Sequence, residues 1–482
     1  MSEPVDATTP HHPRRLWPSL LAFLALLSIP GIALLVAIRG PANPAELAPL
    51  QRTLIREVMV FESSTGRVTG PHDVRLADGK ILDLLPPGSA DPEPVTVEGA
   101  GLTLLPGLID AHVHLASGTA LPGPLALPET NHHLGALALA GVTTVLDTGG
   151  PLSELAGLNE QTQSQAVAGP EILFAGPPMT APNGHPIAIF KAVLPGFLGN
   201  FVDTHMARPI ATPADAEAAV EATVAGGASV IKVMLDDIPI DGPELDDARL
   251  QAIVAAASSR NVPVIAHVGT DEDARRAAEA GVSGLVHLPY RDRVTPETAQ
   301  LLGRKGVPVA TTLVVWTRLT ELLAQTAPLT ALEDRLAPQK NKDALLAGLP
   351  DLQATDLPEP LHAWFDVVKS GQPLLAENVR TMRAAGVPLL AGSDSANVGN
   401  YPGAALHREL DLLHAAGVPA RDVLRAATAT NASFLGIEDR VGAVRPDYEA
   451  DLLLVRGNPV DDLQALHDIV SVWIDGREVV AR

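Results

Sequence analysis

The 482-residue sequence has no cysteine. Disulfides and thiolate metal sites are therefore excluded, and any bound metal must rest on imidazole, carboxylate or a modified lysine. Aromatic residues make up only 3% of the chain, and positive charge is scarce. Against 56 Asp and Glu there are 34 Lys and Arg, giving a formal net charge of −22. Such a surface repels phosphate backbones, so nucleic acid is not an expected partner. The acidity favours solubility without naming a substrate. Length allows one large barrel and a smaller domain.

Charge is also missing between residues 16 and 38, after Arg14 and Arg15 and before Arg39. As a helix these residues would span about 35 Å, enough to cross a bilayer core. Pro30 and Gly31 would kink such a helix without forbidding it. A cleaved signal peptide has a shorter apolar core and a small-residue cleavage site, so the run reads as an uncleaved single-pass membrane anchor. Two arginines flank its start and one its end, which favours the bulk of the chain lying on the periplasmic or extracellular side. The expected divisions are a polar tail at 1–15, the anchor at 16–38, a linker at 39–50, the first part of a β-sandwich at 51–105, a barrel at 106–437 and the second part of the sandwich at 438–482.

The two outer regions carry short β-like runs. Those at 54–61 and 73–76 are followed by the turn Asp78-Gly79, and those at 451–455 and 469–474 by Asp475-Gly476. The ends of the chain are thus expected to pair in one small β-domain. Between them, apolar strand-like runs at 108–115, 141–147, 171–175, 229–235, 262–268, 284–288, 307–313 and 387–392 alternate with helix-period segments such as 213–226, 243–260 and 272–280. Eight such units predict a (β/α)₈ barrel of the α/β class. An open α/β sheet is the rival, but no glycine-rich nucleotide fingerprint follows the first strand. Insertions at 176–212 and 314–375 would emerge on the catalytic face.

Polar residues collect at the expected strand ends. His112 and His114 flank Val113, and residues i and i+2 of a strand point the same way, so both imidazoles can face one point. His267, His287 and Asp394 end three further strands. Singly each reads as a satisfied structural residue. Together, buried without partners, they would be costly. Lys232 lies in the apolar run Val-Ile-Lys-Val-Met-Leu, where an unpaired ammonium tends to lose its proton. One account pairs it with Asp236. The other has the neutral amine react with carbon dioxide to give a carboxylate able to bridge two metal ions. His132 and His133 open a helix and read as solvent-facing or dipole-neutral residues rather than ligands.

As a set, Leu105-Pro-Gly-Leu-Ile-Asp-Ala-His-Val-His114, Gly141-Val-Thr-Thr-Val145, Ile231-Lys-Val, His267, His287, Gly392-Ser-Asp394 and Ala450-Asp-Leu-Leu-Leu-Val455 resemble the amidohydrolase superfamily, in particular its prolidase-like and imidazolonepropionase-related branch. The resemblance covers about residues 50–480. It implies two divalent metal ions, with zinc the best match to imidazole and carboxylate ligands. His112, His114 and Asp394 would hold one, His267 and His287 the other, and carboxylated Lys232 would bridge them. Asp394 would also shuttle the proton. His185, in Pro182-Asn-Gly-His-Pro186, resembles a loop histidine near the substrate, although relatives often carry Gly-Gly-His. Tyr290 and Arg318 are candidates for a substrate carboxylate or oxyanion. The activity implied is hydrolysis of an amide C–N bond in a dipeptide, an N-acyl amino acid or a cyclic amide. The same site would also suit a lactonase or phosphotriesterase-like hydrolase, and a catalytically silent membrane-tethered binding protein is the rival from another class. A homo-oligomer is compatible with the sequence.

Overall fold

The computed structural model describes residues 42–120, 129–193, 199–349 and 361–482. The anchor expected at 16–38 lies outside these residues. Among the described residues no helix is long and apolar enough to cross a membrane.

Eight parallel strands form the barrel: β1 (Leu108–Val113), β2 (Val142–Asp147), β3 (Glu171–Phe174), β4 (Ile231–Met234), β5 (Val264–His267), β6 (Gly284–Val286), β7 (Val309–Ala310) and β8 (Leu389–Leu390). Neighbours pair in sequence order. Ser229 donates its backbone N–H to Phe174 at 2.8 Å, joining β3 to β4. The ring closes where Ala111 donates to the Ala391 carbonyl at 2.9 Å and Val113 bridges Ser395 in parallel. Buried Asp110 strengthens this seam by accepting from the Ser393 backbone and hydroxyl. The expected barrel is thus observed, with β7 and β8 shortened to two residues each.

Its interior holds one contiguous apolar cluster with a residue at or beside every strand: Ala111, Leu146, Ala175, Val230, Ile265, Val286, Ala310 and Leu390. Val230 and Ile265 precede Lys232 and His267 by two residues, so these polar side chains leave their strands on the barrel side, one layer above the apolar cluster. A Cβ at Gly392 would lie 3.0 Å from the His112 Cβ and 3.3 Å from that of Ala310. Glycine is required there by this close approach. Outer helices start as the sequence suggests. Thr270 and Thr295 cap Asp271–Ala280 and Pro296–Lys305 by accepting from backbone N–H groups.

The ends of the chain meet in a nine-stranded sheet rather than in two separate sheets. Leu452–Arg456 pairs antiparallel with Leu102–Pro106, and Ile469–Ile474 turns through Asp475-Gly476 into Arg477–Ala481. The sheet curls over a core containing Ile55, Val74, Ile81, Leu104, Leu454 and Trp473, and a bridge from Lys80 to Glu449 draws its far strand back. The segment read as a linker contains a further strand. Ala45–Leu47 pairs with Val479–Ala481, Asn43 donates to the Ala168 carbonyl at 2.8 Å, and Arg477 donates to the carbonyls of Leu47 and Ala48. A three-residue strand lacks the length for a periodic signal, and its pairing partner lies over 430 residues away, so sequence reading passes it by.

The two insertions carry helices, Ile187–Val193 in the first and Leu313–Leu323, Ala331–Leu336, Gln339–Gly348 and His362–Gly371 in the second. They meet over the barrel mouth, where Ile238, Leu361 and Phe365 pack with Ile189, Leu319, Leu323 and Trp364.

Relative to a chain that begins at residue 42, one that begins at residue 49 loses several hydrogen bonds worth about 1 kcal/mol each. Differential scanning calorimetry should show the longer truncation melting several degrees lower. Equal midpoints would mean that the Ala45–Leu47 strand contributes nothing.

Candidate metal centre

His112 lies near the end of β1, with His114 just past it. The two Nε2 atoms are 3.3 Å apart, and Asp394 presents Oδ1 to them at 3.4 and 3.1 Å. Ligand atoms of His112, His287 and Asp394 lie within 4.8 Å of one another, all three residues buried. The other histidines adjoin this group. Ring centroids are 4.8 Å apart for His112 and His287, and 4.3 Å for His267 and His287. The four histidines, drawn from β1, β5 and β6, therefore converge with the aspartate that follows β8.

Backbone conformation turns two of these residues toward the centre. His287 and Asp394 have φ of 73° and 53°, in the left-handed region. Such conformations are costly and persist where the surroundings fix them. Here the Asp394 carbonyl accepts from Asn397 and Asn400 side chains at 2.7 and 3.2 Å. His287 Nδ1 lies 2.7 Å from Thr312 Oγ1, which leaves Nε2 for a ligand. His267 Nε2 lies 3.3 Å from Asp236 Oδ2, which leaves Nδ1.

Lys232 is 3% exposed. Its Nζ donates to Thr148 Oγ1 at 3.3 Å and joins no ion pair among the described residues. Asp236, the partner considered for it, is engaged elsewhere: it accepts from Tyr290 at 2.7 Å and from Arg291 at 2.7 Å, and it faces His267. Burial would raise the Asp236 carboxyl, but the contacts with His267, Tyr290 and Arg291 win and bring it down to about 2. Burial draws Lys232 down to about 8, against the opposing pull of Asp394 and Asp147. Burial, then the charge of Lys232, holds His112 well below the usual imidazole range. Burial, then His267, does the same to His287, and His267 is lowered by burial despite Asp236. At His114 burial is outweighed by the Asp394 contact, and its pKa rises. Most of the centre is thus held as neutral donors around one carboxylate, which is the form that binds a cation.

His185 is brought in from the first insertion, its ring 5.0 Å from that of His267, with a buried Nδ1 that has no partner among the described residues. Tyr290 is beside the centre but spends its hydroxyl on Asp236, while accepting from Trp364 Nε1 at 2.6 Å. That contact braces Asp236. Arg318 is a correction. Its guanidinium donates to Glu321 at 3.0 Å, to the Pro328 carbonyl at 3.0 Å and to Glu333 at 2.6 Å, so it ties the second insertion together with its charge already paired. His132 and His133 are buried, and His133 Nδ1 meets the Leu115 carbonyl at 3.2 Å. The apolar run of their helix sets its inner face toward the barrel.

Sequence reading passed over Asp147, Thr148, Thr312 and Trp316. Asp147 closes β2 as the histidines close their strands, so position signalled it. Buried, it is pushed up to about 6 and accepts from the backbone of Leu115 and Gly149 at 2.7 and 3.0 Å. The two threonines carry no sequence signal apart from lying just beyond strands.

Comparison with known proteins agrees with this architecture. The curated ochratoxinase of Aspergillus niger is 26% identical over 411 residues, 78% of this chain and 75% of that one. A solved Xaa-Pro dipeptidase with methionine bound in its active site superposes with a TM-score of 0.71 at 22% identity, covering 89% of this chain and 99% of that one. The crystal structure of A. niger ochratoxinase gives 0.68 at 19% identity, covering 90% and 96%. These structural likenesses concern the fold. The amidohydrolase family model matches residues 103–479, and with its barrel and its ring of histidines the chain belongs to the amidohydrolase family.

Proposed function

We propose that this hydrolase cleaves an amide C–N bond in a small substrate, namely a dipeptide, an N-acyl amino acid or a cyclic amide, with two zinc ions at the barrel mouth. The observation that carries the reading is the meeting of His112, His287 and Asp394 within 4.8 Å beside a buried, unpaired Lys232. Two imidazole nitrogens 3.3 Å apart repel through their lone pairs unless a proton or a cation lies between them. The donors are nitrogen and oxygen without thiolate, a set suited to zinc. His112, His114 and Asp394 would hold one ion and His267 and His287 the other, with Lys232 bridging as its carbamate. That modification forms one N–C bond to carbon dioxide and releases one proton, which requires the neutral amine that burial favours. Bound metal would supply an acidified water and a polarised carbonyl.

The residues of this chain do the rest. Asp394, anchored at its carbonyl by Asn397 and Asn400, is placed to take a proton from the attacking water and deliver it to the departing amine. Asp236 keeps the His267 ring oriented, and its own charge is fixed by Arg291. The insertions cover the mouth with apolar groups, limiting bulk water. Residues 16–38 are proposed to tether the enzyme to a membrane with this site on the outer side, a reading supported by their uncharged length and by Arg14 and Arg15.

Three outcomes test the reading. Chelation should abolish hydrolysis of a panel of dipeptides, N-acyl amino acids and cyclic amides, and zinc should restore it. Activity that survives with no metal by elemental analysis would end the proposal. Lys232→Ala is expected to lose about 10³-fold in kcat and to recover part of it with added short carboxylates. Absence of rescue at any concentration counts against the carbamate. Asp394→Asn should retain at least one metal per chain while kcat falls about 10³-fold, and a near-normal rate would remove its proton-transfer role.

A further inference from the structure

The chain has four tryptophans in 482 residues, and two of them stand at the mouth of this site. Trp316 lies one turn after Thr312, the residue that holds His287 Nδ1, and its ring meets that of His287 in a T-shaped contact at a centroid distance of 5.3 Å. One face is closed by Tyr290, stacked at 3.8 Å. Trp364 stands nearly perpendicular at 6.4 Å, half-buried, against Phe365. The Trp316 side chain is 4% exposed, yet its indole N–H is buried with no acceptor among the described residues. An indole nitrogen only donates, and a buried donor without an acceptor is destabilising. Trp364, by contrast, gives its N–H to Tyr290. The unmatched donor therefore belongs to the helix whose N-cap is Thr312, the residue that holds a proposed metal ligand, and its neighbour Trp364 packs in the apolar group of Ile238, Ile189 and Phe365 that covers the mouth.

We infer that Trp316 is a specificity-determining residue: its indole N–H receives an acceptor oxygen of the substrate other than the scissile carbonyl, while the Trp316–Trp364 wall receives a flat apolar group. This rests on the amide-hydrolase reading and narrows it to amides that carry an aromatic group next to a carboxylate or carbonyl. Sites built to hydrogen-bond a substrate discriminate strongly against analogues that lack the partner.

The test pairs two amides that differ only in the acceptor, N-acetyl-L-phenylalanine and N-acetylphenethylamine, with zinc-loaded full-length enzyme. Wild type should favour the first by about tenfold or more in kcat/KM, and should favour it over N-acetyl-L-alanine as well. In Trp316→Phe, which keeps a ring and deletes the N–H, the first ratio should fall to within about twofold at unchanged metal content. A ratio that persists in the variant, or wild-type turnover of other amides but not of N-acetyl-L-phenylalanine, overturns the inference and leaves the amide-hydrolase reading standing. Turnover of no amide by metal-loaded wild type overturns both. Should the variant misfold, ¹⁵N-indole spectra of wild type decide: addition of L-phenylalanine should move one indole resonance downfield, assigned to Trp316 by its persistence in Trp17→Phe, Trp364→Phe and Trp473→Phe, and no movement of that resonance refutes the contact.

Discussion

Four imidazoles and one amine crowd around the Asp394 carboxylate at the mouth of the barrel, with Asp236 behind His267 and Asp147 acting on Lys232. His112 and His114 face each other at 3.3 Å with Asp394 beside both. In water such donors would be solvated or protonated. Here burial strips the solvent and holds His112, His267 and His287 below their usual range, aided by positive neighbours at His112 and His287 and opposed by Asp236 at His267. The centre is accordingly a cluster of unsatisfied lone pairs whose natural complement is a cation. Its price is met by the barrel beneath, where one apolar side chain at or beside each strand seals the layer below.

Holding these donors in register demands a second tier of contacts. Asp236 illustrates it best. It draws together Tyr290, Arg291 and His267, and so links β4, β5 and the loop after β6. Thr312 does the same for His287, and Asn397 with Asn400 for Asp394. Left-handed backbone at His287 and Asp394 is tolerated because these bonds over-determine it. Within the second insertion, buried Arg318 ties the helix that carries Trp316 to Glu333 of the next helix.

The small β-domain has a different role. It brings both ends of the described chain into one sheet, with Leu102–Pro106 leading directly into β1. Its pairing to Leu452–Arg456 means that the strand carrying His112 is fixed from outside the barrel as well as from within it.

Periodicity and turn residues in the sequence were sufficient for the eight strands, the pairing of the two ends, the place of Lys232 inside an apolar strand and the alignment of His112, His114, His267, His287 and Asp394 with strand ends, because each of these depends on side-chain alternation within a few residues. Asp147 was equally legible and was passed over for want of a motif. Partnerships were decided only by tertiary structure. That Asp236 serves His267 and Arg291 instead of Lys232, that Tyr290 braces a carboxylate, that Arg318 is neutralised by Glu333 and that Ala45–Leu47 pairs with the far end of the chain all follow from distances between residues remote in sequence. Local patterns encode which face of an element is buried. They do not encode which charges meet across it, and those meetings fix which donors remain free for chemistry.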